Sequence, residues 1–590
     1  LGDAWFPGWK ATVEVAGAGG LRQTVEVPVY RADGMLRAVP VPPGYSVVRL
    51  AYRPVSIKAG IYGSFLGLML FILAAAYAIG GRFLRLGQTD ELRRAAQNSV
   101  LPFAANLLGK LIQFGFAMLM LRVISPAEAG RYTVAVTLIG LTDILANFGL
   151  SVWATREAAQ RPAEQDRILG QSLFLRLLLW TGAVGLLWAY VVFRTGAPTG
   201  GLSADTRLAI LLLALGLLPS QLSAALSSIY QAREQLVLPA LVSLATTLVN
   251  VSAGAALLLA GYGIAGVAAA SIVSNLVTLG VFVALGRRAG IRPRWRGAWL
   301  GLGLILAACW PLMLNSLLQT LFFKMDVLLL QGLLPRDGDT IVGWYQAAYK
   351  WIDALLIISP SIVMALFPLL SRRAAGDRAG LARAYATTLR WLLMAALPIS
   401  LATSSLAEPL IGLLAGAQYL PEGANALKLM VWFLPLSFAN GLAQYVLIAL
   451  GRQRWITMSF VLAAAFNLTA NWLVIPGHQF GSLTIPAYTY VGAAVVTILS
   501  ELILWLPFSR GLRDLDVPPL LVLFWRPAMA TALAALTVMG ARGLGLPAIP
   551  ATALALGVYA LVLVRLGGFG AEDRALVRRV LGTERVADME

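Results

Sequence analysis

The chain contains one cysteine, Cys309, and one histidine, His478, and this scarcity excludes much of protein chemistry. No disulfide framework can form, and a zinc site built from His and Cys donors cannot be assembled. Cys309, in an apolar helix, reads as a small buried residue, and His478, in a Pro/Gly-containing loop, reads as exposed. Charge is scarce too. Only 13% of the 590 residues are charged, against roughly 25% in soluble domains, while 59% are hydrophobic. No nucleophile–base pair, metal cluster or phosphate-cradling glycine loop is present, so the expectation is a protein that is not an enzyme and carries no catalytic or metal residues. A net charge of +18 would suit nucleic acid if it were gathered on one face. The Arg and Lys residues instead fall in short loops between apolar runs, which excludes nucleic acid as a partner and points to membrane topology.

Long apolar runs are what the sequence has in abundance. A helix needs about 20 apolar residues to cross the hydrocarbon core, and about fifteen such segments can be placed. Before them, residues 1–54 alternate in strand fashion over Trp9 to Val15, Leu21 to Tyr30, Met35 to Val41 and Tyr45 to Tyr52, which predicts a small β module. The chain opens at Leu1 without a cleavable signal pattern, as expected of a fragment or an unusual start codon. The runs Phe6-Pro7-Gly8-Trp9-Lys10-Ala11, Val27-Pro28-Val29-Tyr30-Arg31-Ala32, Leu36-Arg37-Ala38-Val39-Pro40-Val41-Pro42 and Tyr52-Arg53-Pro54 resemble the carboxyl-terminal end of the YfhO-like bacterial membrane proteins. That family has an extracytoplasmic β domain before a last helix. The resemblance covers about 80 residues, brings no catalytic residue, and implies a membrane-proximal remnant.

Cations set the expected topology. Arg82, Arg85, Arg93 and Arg94 follow the first apolar span, and alternate loops thereafter carry Arg156, Arg161 and Arg167, then Arg233, then Arg287 to Arg296. The same side holds Arg372, Arg373, Arg378 and Arg383, Arg452 and Arg454, and Arg510 and Arg513. The opposite loops hold scattered cations such as Arg131, Arg194, Arg207, Arg336 and Arg542. This bias predicts one extra amino-terminal helix plus fourteen, with the β module outside and the carboxyl terminus in the cytoplasm. The expected divisions are an extra helix at 55–81, a cytoplasmic linker at 82–96, a first lobe at 97–286 and a basic inter-lobe loop at 287–298. A second lobe at 299–510, two helices within 511–567 and a cytoplasmic tail at 568–590 complete them. The Arg287 to Arg296 cluster reads as a lipid-headgroup anchor.

The body is duplicated. Pro102, Asn106, Leu108, Phe114, Leu121 and Pro126 recur as Pro311, Asn315, Leu317, Phe323, Leu330 and Pro335 at a constant offset, 315 − 106 = 209. Gly130, Tyr132 and Ala135 recur as Gly343, Tyr345 and Ala348, where 343 − 130 = 213. Internal repeats in a membrane protein point to a transporter, with substrate bound where the repeats face each other.

Polar residues inside the spans are the functional candidates. Asn106, Lys110 and Gln113 share one helical face, as do Asn315, Gln319 and Asp326 in the second copy. Gln346, Lys350 and Asp353 form a further stripe flanked by Tyr345 and Tyr349. An unpaired charge at bilayer depth costs about 2.5–3.5 kcal/mol, so Lys110 and Asp326 should face a wet cavity. The alternative is a structural ion pair or hydrogen bond, which for Lys350 and Asp353, three residues apart, means mutual neutralisation. Asp143 with Asn147, Asn440 with Gln444, and Asn467 with Asn471 read as interhelical glue. Lys324, two residues from Asp326, should point elsewhere and snorkel to the surface.

The order of an Asn-bearing first helix, Gly130-Arg131-Tyr132, Gly149-Leu150 leading to Arg156-Glu157, Lys324-Met325-Asp326, and Val342-Gly343-Trp344-Tyr345-Gln346-Ala347-Ala348-Tyr349 resembles the Wzx-type polysaccharide flippases. Phe367-Pro368-Leu369-Leu370-Ser371-Arg372 closes the match, which spans about residues 95–570. These flippases belong to the multidrug/oligosaccharidyl-lipid/polysaccharide (MOP) exporter superfamily. The resemblance implies an all-α polytopic fold of two six-helix MATE-like lobes plus two carboxyl-terminal helices. It further implies alternating access that moves a polyprenyl-diphosphate-linked glycan across the bacterial cytoplasmic membrane, beside membrane lipids and with a polysaccharide polymerase and glycosyltransferases as partners. On this reading Lys110 and Lys350 meet the diphosphate, Asn106 lines the same cavity, and Gln113, Tyr345, Gln346, Tyr349 and Gln444 meet the substrate's sugars. Asp143, Asp326 and Asp353 are candidates for H+ or Na+ coupling, with no cofactor, and Arg156 and Glu157 stand at the cytoplasmic mouth. The rival expectations are a small-molecule antiporter of the same superfamily and a non-transporting scaffold for glycan assembly.

Overall fold

The computed structural model describes residues 4–6, 8–16, 22–34, 36–44, 46–52, 90–196, 201–334, 337–480 and 483–568. The expected helix at 55–81, the linker up to residue 89, Pro335 and the tail beyond residue 568 lie outside these. The chain divides into two compact units, Leu1–Ala104 and Ala105–Glu590.

In the first unit, β1 (Trp9–Ala16) is the central strand of an antiparallel sheet, flanked by β2 (Arg22–Val27) and β5 (Ser46–Tyr52). Ala11 and Val13 are buried at the period of two that a strand imposes. The single strand expected from Leu21 to Tyr30 is split. Pro28 has no N–H to give a ladder, so β2 ends at Val27 and the chain restarts as β3 (Tyr30–Ala32), which pairs with β4 (Leu36–Ala38).

The second unit is helical. Its first lobe comprises α1 (Asp90–Val123, entering this unit at Ala105), α2 (Pro126–Asn147), α3 (Leu150–Gln160), α4 (Gln165–Thr195), α5 (Ala204–Ala232), α6 (Val237–Leu257) and α7 (Gly263–Arg288). The second lobe comprises α8 (Leu302–Leu333), α9 (Gly338–Leu355), α10 (Ile358–Gly376), α11 (Arg378–Ser405), the short α12 (Ala407–Leu414), α13 (Glu422–Met430), α14 (Leu434–Ala449), α15 (Gln453–Val474) and α16 (Thr489–Gly511). A last antiparallel pair follows, α17 (Leu520–Gly543) and α18 (Ala548–Arg565), and α17 packs on α11. Among the described residues, thirteen continuous helical stretches are long and apolar enough to cross a membrane. One of them, Val237–Arg288, is two passes. Gly261 (φ +90°) and Gly263 (φ +54°) take backbone conformations that side-chain-bearing residues avoid, and α6 and α7 pack along each other on either side of them. The body therefore has the fourteen passes that the loop charges predict.

Between α7 and α8 the basic segment is held as a strap on the first lobe. The Arg294 N–H donates to the Asp166 carbonyl (2.9 Å) and the Arg292 N–H to the Asp166 carboxylate (3.2 Å). His478 is half-buried rather than exposed, because a short hairpin, β6 (His478–Phe480) with β7 (Leu483–Ile485), lays its ring 4.5 Å from that of Trp472.

The lobes meet at their arginine-poor ends. One continuous core there takes Leu121 and Val134 from the first lobe and Leu330, Val342, Tyr345, Tyr419 and Met430 from the second. At the arginine-rich end each lobe has a separate core, around Ile168, Tyr230 and Phe282 in the first and around Tyr385, Phe438 and Phe508 in the second. Helices in lipid gain no hydrophobic drive from meeting each other, so their contacts depend on close backbone approach and hydrogen bonds. The approach is closest at α2 and α9. A Cβ on Gly130 would lie 1.7 Å from the Asp339 carbonyl oxygen, and one on Gly343 would lie 1.9 Å from the Pro126 carbonyl oxygen. Each glycine is the repeat-mate of the other, and each of the two carbonyls lies four residues before its own helix's glycine, since 130 − 126 equals 343 − 339. The crossing thus maps onto itself under the duplication.

Gly343→Val forces α2 and α9 apart against backbone, which no side-chain rotation relieves. It should destabilise the folded protein by about 1–3 kcal/mol in thermal unfolding in detergent, whereas Gly140→Ala, with nothing within 4 Å of the new atom, should leave stability unchanged.

Candidate functional site

The seal between the lobes is polar at its edge. Arg122, at the last turn of α1, donates through Nε to the Leu413 carbonyl at 3.0 Å. Gln418 Nε2 donates to the carbonyls of Leu121 (3.1 Å) and Ile124 (2.9 Å), and the Tyr419 hydroxyl to Ile124 (3.3 Å). Burial raises the Tyr419 phenol well above its usual range, so it stays a donor at every physiological pH. Arg194 donates to Gln331 (2.9 Å), and Arg131 bridges Asp205 (3.1 Å) and Asp339 (3.2 Å). These residues are donors to backbone and partners in mixed-charge bridges, a set of contacts that can part and re-form.

Inside the second lobe the helical spacing brings several candidates together. Tyr345 and Tyr349, one turn apart on α9, meet edge to face with ring centroids 5.2 Å apart. The Tyr345 hydroxyl donates to Asp326 Oδ2 at 2.6 Å, and the Val327 N–H donates to Asp326 Oδ1 at 2.8 Å. Lys324 does not point away. Its Nζ sits 4.7 Å from the Tyr349 ring centroid, because a four-carbon stem reaches round the helix to the electron-rich ring face. Lys350 in turn interacts electrostatically with Asp353 and Lys324. Two ammonium groups therefore lie within electrostatic range of each other, that of Lys324 on the Tyr349 ring face and that of Lys350 also in range of Asp353, an exposed residue.

Not every candidate in this stripe faces open space. Tyr345 is fully buried and holds Asp326, while Gln346 and Tyr349 are also buried. Tyr349 offers its ring to Lys324. Deeper in the lobe, Asn471 donates to Asn467 (3.0 Å) and Asn467 to Ser500 (3.1 Å), which ties α15 to α16. Asn440 pairs with Glu501 (2.7 Å), not with Gln444, which is half-buried. Asn440 Oδ1, Asn471 Oδ1 and Glu501 Oε1 are buried with no hydrogen-bond partner.

In the first lobe Asn106, Lys110 and Gln113 are exposed along α1. Asp143 and Asn147 belong to one buried network, though not by bonding each other. The fully buried Arg176 of α4 donates to Asn147 (3.2 Å), Ser151 (2.7 Å), Ser172 (3.3 Å) and Gln221, and Gln221 donates to Asp143 (2.7 Å). Arg156 is exposed, and Glu157 pairs with Arg161 at 3.5 Å. Arg176, Glu501 and Lys324 are further buried or half-buried charges, and their signal in the sequence was an ionisable residue within an apolar span. Beside Gln113, a cavity of about 340 Å³ opens among α5, α6 and α7, lined by serine, threonine and asparagine with Phe282 as its one aromatic wall.

Residues 95–373 match the family model described as polysaccharide biosynthesis protein, and residues 311–473 match the MatE model. No curated protein matches the sequence. Among solved structures the chain is similar to the lipid II flippase MurJ in an inward closed conformation, at 13% identity over 81% of this chain and all of that one, with a TM-score of 0.64. It is similar to an outward-facing multidrug resistance MATE family transporter of the MOP superfamily at 15% identity, over 74% of this chain and 98% of that one, with a TM-score of 0.51. A MOP superfamily transporter from Pyrococcus furiosus, described by the reverse polarity of its binding pocket, gives 17% identity, 74% and 98% coverage, and 0.51. At these identities the structural likeness shows the fold. The two family matches fall within residues 95–473, and the structural likeness shows the fold shared by MurJ and the MATE transporters, that of an all-α multi-pass membrane protein.

Tyr345→Phe strands the buried Asp326 carboxylate and should lower stability by about 1–3 kcal/mol. Combined with Asp326→Asn it should cost less than the sum of the single changes, a coupling of about 0.5–3 kcal/mol measured by a thermal-unfolding double-mutant cycle.

Proposed function

We propose that the protein is a flippase of the Wzx type, moving polyprenyl-diphosphate-linked glycans across a bacterial cytoplasmic membrane by alternating access for cell-surface polysaccharide synthesis. The observation that carries this reading is the pair of second-lobe lysines, Lys324 on the Tyr349 ring face and Lys350 within electrostatic range of it. A diphosphate must shed much of its hydration to enter a low-dielectric region, and two ammonium groups supply the compensating charge and up to six N–H donors. The isoprenoid tail remains in lipid throughout.

The positive-inside bias places the arginine-rich end in the cytoplasm, so the structure, joined at the opposite end, is the inward-facing arrangement. In this reading Lys110 on α1 meets the headgroup first and passes it to Lys324 and Lys350. Asp326 is the favoured coupling carboxylate for H+ or Na+, because Asp143 is engaged with Gln221 and Asp353 stands exposed beside Lys350. Polymerase and glycosyltransferases act on either side of this step.

The test is translocation of a fluorescent polyprenyl-diphosphate oligosaccharide in proteoliposomes. Lys324→Ala and Lys350→Ala should each slow it by about 10- to 100-fold, the range of a charge-assisted hydrogen bond, while Lys350→Arg keeps most of the rate. Asp326→Asn should remove dependence on an ion gradient. Loss of neither rate in the lysine variants, or efflux of organic cations by a protein that moves no lipid, would contradict the reading.

A further inference from the structure

The cavity in the first lobe has a chemistry unlike that around Tyr349. None of its lining residues is charged. Several of its hydroxyls are, moreover, already committed as donors. Ser223 donates to the Pro219 carbonyl (2.7 Å), Thr247 to Ser243 (3.0 Å), Ser271 to Ala268 (2.6 Å) and Thr278 to Ser274 (2.7 Å), each within its own helix. The amide of Asn275 likewise donates to the Gly216 carbonyl at 3.1 Å. A hydroxyl has one O–H and two lone pairs, so the back-bonded Ser and Thr oxygens present acceptors to this space, and the Gln113 and Asn250 amides add groups that both donate and accept.

Such a wall selects its ligand. An anion finds no positive charge, and an organic cation finds no carboxylate and one aromatic ring, that of Phe282. A metal ion finds no carboxylate, histidine or cysteine in the lining, and among the described residues no group of three or more such ligands gathers. The ligand that fits carries many neutral O–H donors and occupies a volume within the roughly 300–1,000 Å³ of small-molecule sites. The wall comes from the carboxyl-terminal half of α5, residues 239–250 of α6, the middle of α7 and Gln113 of α1, and it reaches Phe282 in the core of the arginine-rich end, so the cavity extends from mid-lobe toward the end where the lobes are not joined.

We infer that this cavity is a subsite for the neutral sugar rings of the substrate, while the diphosphate stays with the second lobe. The inference deepens the flippase reading and rests on it. It divides one ligand between two lobes of different chemistry, acceptor-rich against cationic, and so fixes which way round the headgroup lies.

The experiment uses the full chain in detergent, with the buried Cys309 changed to Ala and a single reporter thiol on the exposed wall residue, Ser243→Cys, or on the facing wall, Ser227→Cys. Reaction with a hydrophilic maleimide is timed with a panel of neutral oligosaccharides (malto-, xylo- and N-acetylchito-oligosaccharides), with pyrophosphate and with tetraphenylphosphonium. A neutral oligosaccharide should slow labelling of both thiols at least fivefold, and adding Thr247→Val, which keeps the shape and removes the acceptor, should abolish most of that protection. Protection by pyrophosphate or the phosphonium, or by none of the neutral sugars, overturns the inference. The lysine-dependent translocation assay reads the flippase proposal separately: translocation without glycan protection sinks the subsite alone, and failure of translocation sinks the reading beneath it.

Discussion

The rest of the structure depends on the contact of α2 with α9 at Gly130 and Gly343. Lobes in lipid have no water to expel from between them, so their attachment has to come from backbone approach and from hydrogen bonds at the rim. A single crossing where each glycine meets the carbonyl one turn from its repeat-mate gives that attachment at one end and leaves the other end free. Because the contact maps onto itself under the duplication, rotation of one lobe about it alters both halves equally. Rocking of two rigid bodies is the motion that such a joint permits.

Around that joint, charge is distributed with evident economy. Arg176 is buried in the first lobe against four neutral acceptors and reaches Asp143 only through Gln221. Asp326 is buried in the second lobe against a phenol and a backbone N–H. Both charges are held by hydrogen bonds in place of a direct ion pair, which leaves each lobe internally rigid. Lys324 instead lies on the Tyr349 ring face, and Lys110 is exposed on α1.

Much of the architecture was legible in the sequence because it follows from length and charge. The apolar runs gave the passes, the alternation of arginine-rich loops gave the number in the body, and the offset of 209 and then 213 gave the duplication. Gly130 and Gly343 were visible as repeat-mates, but nothing local reveals that they sit at one shared crossing. The same limit governs the site. Helical spacing put Lys350 and Tyr349 on neighbouring faces, yet it sent Lys324 the wrong way, since periodicity fixes where a Cα points and not where a long flexible stem can reach. Asn440 looked like a partner of Gln444 one turn away, whereas its partner is Glu501 on another helix, and Pro28 broke a strand that alternation alone ran through.

The account stands on the lobes parting at their arginine-poor ends during transport. With Cys309 replaced by Ala, Ile124→Cys and Gln418→Cys place two thiols across the seal, where Gln418 now donates to the Ile124 carbonyl. A short bis-maleimide linking them should halt translocation of the lipid-linked glycan, while each single-cysteine protein treated with the same reagent transports normally. Full transport by the cross-linked double variant would show that the lobes need not part there, and would contradict the account at its joint.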